Sequence, residues 1–328
     1  MFVVPNKIRP ELKHDYFLWP EGKPIKALMH APKFVSPSIV EGILAEMFPD
    51  GYPVLCSSGR TAILLALIMS NVSRSDFVGV FPFASHCVLD AVSRAGTPLS
   101  GPGALTCNIR LLYHQWGFVQ ETDQPENTIE DSVDTLCMPG EKLFPGGGRF
   151  EIWSLPKILG TTSGGVLWCK DREIANEARD LLLQRSGALM QWGIRLLGRL
   201  FPIAHWYWQG AESSIGKPSR FQMGEILTAI QKWDRMVEDR REKLDCVWGN
   251  APSWLSKPSG RLPPVVPVQI NLSDADVKRF RFRAGYRHFE RVSSTGQREL
   301  LKVLPIPIHQ DVPLAWLAYI QQGMVSSI

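Results

Sequence analysis

The pattern that decides the fold lies in Gly148-Arg149-Phe150-Glu151-Ile152-Trp153-Ser154-Leu155-Pro156-Lys157-Ile158-Leu159-Gly160-Thr161-Thr162-Ser163-Gly164-Gly165. The apolar run 150–155 predicts a buried strand that ends at Pro156, because proline cannot donate to a central ladder. Lys157 follows in a predicted strand-end loop, and a stretch of Gly, Thr and Ser then leads to a second apolar run, 166–169. A lysine held at the mouth of a sheet can attack a carbonyl group, although most loop lysines are simply solvated.

Around this segment, short apolar runs alternate with helical patterns. The predicted strands are 53–56, 77–82, 108–113 and 128–130, and the predicted helices are 61–69, 87–95, 171–184 and a single long helix, 221–243. Such alternation is typical of an α/β fold with a doubly wound, mostly parallel sheet. Ligands of these sheets bind beyond the carboxyl ends of the strands, where Lys157 and Asp131 are expected.

Composition divides the chain into three parts. We predict a proline-rich N-terminal arm at 1–44, a large α/β domain at 45–244 and a small α+β domain at 245–328. Within the large domain, the segment 187–209 combines tryptophans with leucines and arginines. This segment is predicted to be buried at an interface with a second subunit, or to form a peripheral contact with a membrane surface.

The overall composition excludes several classes of protein. The chain has 328 residues and a formal net charge of +4 without a basic block, so nucleic acid is not an expected partner. Its six cysteines lack CxxC spacing, which predicts free thiols in a reducing compartment and no metal site. The N-terminus lacks the apolar core of a signal peptide, and no apolar run is long enough to span a membrane. A cytoplasmic location is therefore expected.

Candidate functional residues follow the predicted strands. Ser58-Gly59-Arg60-Thr61 joins a strand to a helix, where free amide groups can bind a phosphate, although many such turns bind nothing. Asp131 can bind a protonated heterocyclic nitrogen or can cap a helix. His86 can stack on a planar ligand or can be a surface histidine.

The order of these residues, 59, 86, 131 and 157, resembles that of the fold-type-I enzymes of pyridoxal phosphate (PLP). More narrowly, it resembles the DegT/StrS family of nucleotide-sugar aminotransferases. The matching motifs are Ser58-Gly59-Arg60-Thr61-Ala62, Pro82-Phe83-Ala84-Ser85-His86, Ile129-Glu130-Asp131-Ser132-Val133-Asp134, the segment from Ser154 to Gly165, Gln222-Met223-Gly224-Glu225-Ile226 and Ile306-Pro307-Ile308-His309. The resemblance implies a fold-type-I PLP-transferase with a large and a small domain.

The resemblance also assigns roles to single residues. Lys157 would bind PLP covalently, Asp131 would pair with the pyridine nitrogen and His86 would lie on the ring. The remaining cofactor-binding residues would be Ser58, Gly59, Arg60, Thr61, Asp134 and Ser154. Asp134 stands where the family has Gln, His86 replaces a larger aromatic residue, and the spacing from Ser154 to Lys157 is shorter than in the family.

The activity implied is transfer of an amino group, usually from glutamate or glutamine, to a keto-sugar, most often nucleotide-linked, in surface-polysaccharide or related biosynthesis. A homodimer is also implied, because a second subunit usually completes such sites. Two alternatives stay open at this point: another PLP reaction on a sugar, such as dehydration, and a degenerate member of the family that binds a ligand or partner without turnover.

Overall fold

The computed structural model describes residues 16–23, 28–30, 35–183, 216–218, 220–270, 277, 285–292 and 298–325. The aromatic segment 187–209 lies outside the described residues, as does most of the predicted N-terminal arm. Within the described ranges, no helix combines the length and the apolar character that crossing a membrane requires.

A seven-stranded sheet forms the centre of the fold. The first eight strands are β1 Tyr52–Cys56, β2 Phe77–Gly79, β3 Thr97–Leu99, β4 Ile109–Tyr113, β5 Thr128–Asp131, β6 Leu136–Cys137, β7 Phe150–Ser154 and β8 Gly165–Cys169. All except β6 belong to this sheet, in the order β1-β8-β7-β5-β4-β2-β3. Only β8 runs antiparallel to its neighbours; the other pairs are parallel. The predicted mostly parallel sheet is confirmed.

Helices pack around this sheet. They are α1 Pro37–Met47, α2 Gly59–Met69, α3 His86–Ser93, α4 Leu155–Leu159, α5 Arg172–Leu183, α6 Arg220–Ile230, α7 Trp233–Val247 and α8 Leu314–Val325. Helix α2 is buried along 59–67, as its continuous apolar sequence predicts. Its first turn is capped by Ser58, whose Oγ accepts from the Thr61 amide at 3.2 Å.

The single helix predicted for 221–243 is wrong. The chain instead forms α6 and α7, which are separated at Gln231 and Lys232. The Lys232 backbone leaves the helical region, at φ −106° and ψ 13°. Beyond the break, Trp233 is buried, and its Nε1 donates to the Cys137 carbonyl at 2.8 Å. No Gly or Pro marks this position, so the local sequence does not predict the break.

The loop predicted at Lys157 is also wrong. Strand β7 ends at Ser154, and Lys157 lies in the short helix α4. Pro156 stands in the first turn of α4, where the missing N–H of proline removes no intrahelical bond. Gly160 ends the helix with φ +70°, a conformation that favours glycine. Lys157 is therefore fixed on a helical turn directly after the strand.

The C-terminal part adds a smaller sheet. Its strands are β10 Val265–Val268, β11 Arg287–Val292 and β12 Arg298–Pro307, in the antiparallel order β10-β12-β11. A short strand, β9 Arg261–Leu262, pairs with β6. One apolar cluster continues from Trp153 and Trp168 of the large sheet to Leu304 and Trp316. The C-terminal strands are thus packed against the face that holds α4.

Candidate active site

A cavity of about 510 Å³ lies at the carboxyl ends of β2, β4, β5 and β7. Asp131 is the last residue of β5, and Lys157 follows β7 on α4. Tyr113 ends β4, and residues 83–85 follow β2. Opposite them, the cavity is lined by Trp19 and by the segment 286–288. The sheet topology therefore brings Asp131 and Lys157 to one cavity, as the sequence predicts.

The Lys157 amine lies against an aromatic ring. Its Nζ is 4.4 Å from the ring centroid of Trp19, a geometry that attracts a cation to the ring. The Trp19 Nε1 donates to Asp134 Oδ2 at 3.4 Å, and the Tyr113 hydroxyl donates to the same oxygen at 2.7 Å. Lys157, Trp19, Tyr113 and Asp134 therefore form one connected group.

Asp131 is buried, and its Oδ1 accepts from the Val133 amide at 3.2 Å. Burial raises the pKa of Asp131 to about 7; the charge of Lys157 lowers it, and Asp134 raises it. A carboxylate in such surroundings gains from a nearby positive charge, because burial disfavours an isolated negative charge. Asp131 can therefore bind a protonated ring nitrogen in the cavity.

Asp134 is fully buried beside the same group. Burial raises its pKa, while the charge of Lys157 and the hydrogen bonds from Tyr113 and Trp19 lower it. Both of those donors contact Oδ2. Among the described residues, Oδ1 has no hydrogen-bond partner. A buried oxygen of this kind is suited to a polar group supplied by a ligand or by bound water.

The predicted phosphate turn lies at the start of α2, next to the end of β7. A Cβ atom added to Gly59 would lie 3.1 Å from the Ser154 Cβ, so the turn and Ser154 are in close contact. The hydroxyls of Ser57, Ser58 and Thr61 form a hydrogen-bonded cluster. Arg60 is buried in the first turn of α2. The Thr61 amide donates to Ser58 Oγ, and backbone amides at the start of a helix are the groups that commonly bind anions.

His86 is placed by the start of helix α3. It is exposed at the first position of α3, where its Nε2 lies 3.4 Å from the Cys87 Sγ, and it does not line the cavity. Phe83, Ala84 and Ser85 line the cavity instead. Helix α3 begins at His86, so the turn 83–85 before it faces the cavity and the His86 side chain does not. The stacking of His86 on the cofactor ring stays a prediction.

Most of the residues that line the cavity were given no site role from the sequence, among them Trp19, Phe83, Tyr113 and His288. Tyr113 ends β4, so the strand-end rule that selected Asp131 also applies to it. Trp19 and His288 come from distant parts of the chain, and no local pattern marks them. Their positions depend on tertiary contacts alone.

A buried pair supports the strand that carries Asp131. The His114 Nδ1 accepts from the Gln120 amide at 3.0 Å, so the neutral ring has its hydrogen on Nε2. That nitrogen lies 2.6 Å from Glu130 Oε2. Glu130 also accepts from the amides of Gly146 at 2.8 Å and Gly148 at 2.6 Å. These bonds join the ends of β4 and β5 to the loop that precedes β7.

A second support holds the chain after Lys157. The Thr162 amide donates to both oxygens of the Glu225 carboxylate at 3.0 Å, and the Thr162 hydroxyl donates to Oε2 at 2.6 Å. Glu225 is a buried residue of α6. Hydrogen bonds to a charged group are the stronger kind, so this carboxylate fixes the turn that follows α4.

The residues present fit PLP. Lys157 supplies an amine and Asp131 a buried carboxylate to the cavity, whereas the first turn of α2 and Ser154, which contact each other, do not line it. The unpaired Asp134 Oδ1 offers one more polar contact. Within the described ranges, no group of three or more His, Cys, Asp or Glu side chains could hold a metal ion. The fold and this site define a fold-type-I PLP enzyme.

The family assignment is direct. The model of a family described as "Putative PLP-dependent aminotransferase" matches residues 41–241, which is more than half of the chain. The chain belongs to this family, and it is a PLP-dependent aminotransferase. No curated protein matches the sequence.

Solved structures of aminotransferases share the fold. The aminotransferase TlmJ from Streptoalloteichus hindustanus is 15% identical, with a TM-score of 0.62 over 96% of this chain and 100% of its own. A DegT DnrJ EryC1 StrS aminotransferase from Brucella abortus is 13% identical, with a TM-score of 0.60 over 92% and 94%. PseC from Helicobacter pylori, an aminotransferase of pseudoaminic acid biosynthesis, is 13% identical, with a TM-score of 0.63 over 96% and 99%. The resemblance to DegT/StrS proteins and the predicted fold type are confirmed.

Proposed function

We propose that this aminotransferase transfers an amino group to a keto-sugar, that the sugar is nucleotide-linked, and that it serves surface-polysaccharide or related sugar biosynthesis. The main support is that Lys157 and Asp131 line one cavity at the carboxyl ends of β7 and β5 in a chain of this family. The names of the similar structures support the sugar as substrate, since PseC is an aminotransferase of pseudoaminic acid biosynthesis.

Lys157 is the proposed catalytic residue. When bound, PLP supplies an electron sink for the carbanion formed at the substrate carbon that carries the amino group. The Lys157 amine holds the cofactor covalently until substrate replaces it, and then moves a proton to and from that carbon. Helix α4 keeps Nζ at the mouth of the sheet, and Trp19 covers one side of the amine.

The two aspartates have different proposed tasks. Asp131 accepts a hydrogen bond from the protonated ring nitrogen, and the negative charge of this carboxylate keeps that proton in place. Asp134 uses its unpaired Oδ1 for a polar group of the cofactor, while Oδ2 holds Tyr113 and Trp19. Ser58, Gly59, Arg60, Thr61 and Ser154 form the phosphate site at the start of α2. His86 stays a predicted contact of the cofactor ring; like the start of α2, Ser154 and Asp134, it does not line the cavity that holds Lys157.

The same proposal includes a homodimer, a cytoplasmic location and the division into 1–44, 45–244 and 245–328. Free thiols support the location, since all six cysteines are unpaired, as is typical of a reducing compartment. The separate three-stranded sheet of β10, β11 and β12 supports the small C-terminal domain.

The test measures both halves of the reaction, in which the amino group leaves the donor and is then transferred to the acceptor. Cofactor-loaded protein is treated with L-glutamate or L-glutamine, freed of donor, and then given a nucleotide-linked 4-keto-6-deoxy sugar, the matching free sugar or pyruvate. An amino sugar found by mass spectrometry only with the nucleotide-linked acceptor supports the proposal. Amination of pyruvate with no reaction of either sugar contradicts it. Omission of the amino donor provides the control.

A further inference from the structure

The turn after Lys157 separates the two halves of a helical hydrogen bond. In a longer helix the Thr162 amide would donate to the Ile158 carbonyl, because helical bonds join residues four apart in sequence. Gly160 turns the chain at φ +70° and ends α4 before that bond can form. The freed amide donates to the Glu225 carboxylate instead. The freed carbonyl belongs to the residue next to Lys157, and it needs a donor of its own.

A buried arginine of α7 supplies this donor. Arg240 is 1% exposed, and its Nη2 donates to the Ile158 carbonyl at 3.3 Å. The Gln310 Nε2 donates to the same carbonyl at 3.2 Å. The Arg240 Nη2 also donates to the Gln310 Oε1 at 3.0 Å. Because a guanidinium has no acceptor, this contact fixes the orientation of the Gln310 amide and directs its nitrogen to the carbonyl.

Stability alone does not explain the charge on Arg240. Its Nη1 donates to the Leu262 carbonyl at 3.5 Å, and among the described residues its Nε has no hydrogen-bond partner. The acceptors of its hydrogen bonds in the described ranges are two backbone carbonyls and one amide, which are all neutral. Burial lowers the pKa of Arg240 to about 10, so the guanidinium is still charged at physiological pH. A buried charge bonded to neutral groups is costly, and an apolar side chain of similar length would avoid the cost.

The segment 309–311 also holds the other side of the lysine. The His309 Nε2 donates to the Phe17 carbonyl at 2.9 Å, and the Asp311 carboxylate accepts from the Glu21 amide at 2.9 Å. Between these two anchored positions lies the tryptophan whose ring covers the lysine amine. Three consecutive residues therefore fix both the turn that carries the amine and the ring beside it, and Arg240 orients the middle one of the three.

We propose that Arg240 is a positioning residue, which acts through the Ile158 carbonyl and Gln310 to hold the Lys157 amine where covalent attachment of PLP requires it. The inference rests on the proposed role of Lys157. In the attachment, the amine nitrogen forms a double bond to the cofactor aldehyde carbon, and the aldehyde oxygen leaves as water with both amine hydrogens. This step depends on placement, since a displacement of about 1 Å can lower a rate by about a hundredfold.

The experiment measures how fast PLP becomes attached to Lys157. PLP at several concentrations is added to the cofactor-free protein, samples are quenched with borohydride at timed intervals, and the labelled Lys157 peptide is quantified by mass spectrometry. Arg240→Met should lower the maximum rate by about tenfold or more. The PLP concentration that gives half of the maximum rate should stay the same, because the proposed phosphate site lies on α2. The urea midpoint of Arg240→Met should stay close to that of the parent protein, because a buried charge is removed.

Further variants separate positioning from stability. Gln310→Glu gives Arg240 a carboxylate partner but removes the Nε2 that donates to the Ile158 carbonyl. It should therefore keep the urea midpoint and still slow the attachment. Arg240→Lys keeps a charge but lacks the planar fork, so it should attach PLP more slowly than the parent protein. Arg241 is the exposed neighbour on α7, and Arg241→Met should leave both the rate and the midpoint unchanged.

The outcomes distinguish this inference from the proposed role of Lys157. If Arg240→Met and Gln310→Glu are labelled on Lys157 as fast as the parent protein, Arg240 does not position the lysine, and the role of Lys157 stands. If the rate falls only together with the urea midpoint, Arg240 is structural and the inference is wrong. If the parent protein is not labelled on Lys157, the inference and the role of Lys157 are both overturned. Should Arg240→Met not fold, Gln310→Glu decides: a slower attachment at the parent midpoint supports the inference, and an unchanged rate overturns it.

Discussion

Replacing Asp131 by Asn should stabilise the cofactor-free protein at high pH. Burial raises the pKa of Asp131 from its ordinary value of 3.8 to about 7. Each pKa unit corresponds to about 1.4 kcal/mol, so a fully ionised Asp131 lowers the free energy of unfolding by about 4 kcal/mol. Because the folded-state pKa is the higher one, the full stability is present below pH 3.8 and is lost as pH rises through about 7.

Urea unfolding of the cofactor-free protein at pH 4 and pH 8 measures this effect. The free energy of unfolding of Asp131→Asn minus that of the parent should be small at pH 4 and about 4 kcal/mol larger at pH 8. Taking this difference removes the titration of all groups that the two proteins share. Asn keeps an oxygen that can accept from the Val133 amide. The exposed Asp50 provides the control variant Asp50→Asn, which should show no such trend. An equal difference at both pH values would refute the reasoning.

Two supporting contacts should also matter. His114→Phe removes the ring that donates to the fully buried Glu130 and should lower the free energy of unfolding by about 1–3 kcal/mol, measured in urea, with the exposed His86→Phe as control. A loss as small as that of the control would contradict the importance of this pair. Glu225→Ala removes the acceptor of the Thr162 amide and hydroxyl, so it should lower the free energy of unfolding by about 1–3 kcal/mol and weaken PLP retention. Glu225→Gln keeps an acceptor and should recover part of the stability and part of the retention. If Glu225→Ala retains PLP as well as the parent protein does, the contact between Glu225 and Thr162 does not position Lys157.

Much of the fold follows from local sequence. Apolar runs that alternate with helical patterns predict the parallel sheet, because each run is buried on both faces. The rule that ligands bind at the carboxyl ends of strands then brings Asp131 and Lys157 together, although 26 positions of chain separate them in the sequence. The order of the strands alone is therefore enough to predict that Asp131 and Lys157 lie close together.

The gaps in the prediction have equally physical causes. His86 and Ser85 are neighbours, and the start of α3 between them decides which one faces the cavity. Helix boundaries are uncertain by one or two residues in any sequence argument, and a shift of one residue turns a side chain by about 100°. The break between α6 and α7 carries no Gly or Pro, and the Trp233 that follows it makes a tertiary hydrogen bond to Cys137, which no local pattern predicts.

Residues supplied by remote segments could not be predicted. The contact between Trp19 and Asp134 joins positions 115 residues apart. The carbonyl of Phe17 near it accepts from His309 Nε2 at 2.9 Å, so the segment that carries Trp19 is held by the C-terminal part of the chain. Burial lowers the pKa of His309 to about 4, which keeps this ring neutral and able to donate at physiological pH. No local pattern contains such information.

The central claim is that Lys157 binds the cofactor covalently. Purified protein loaded with PLP is reduced with borohydride, digested and analysed by mass spectrometry to locate the phosphopyridoxyl group. We expect the modification on the peptide that contains Lys157, and we expect it to be lost in Lys157→Ala while the fold, followed by circular dichroism, is retained. Modification of Lys142 or Lys170, or a reducible adduct that persists in Lys157→Ala, would contradict the account.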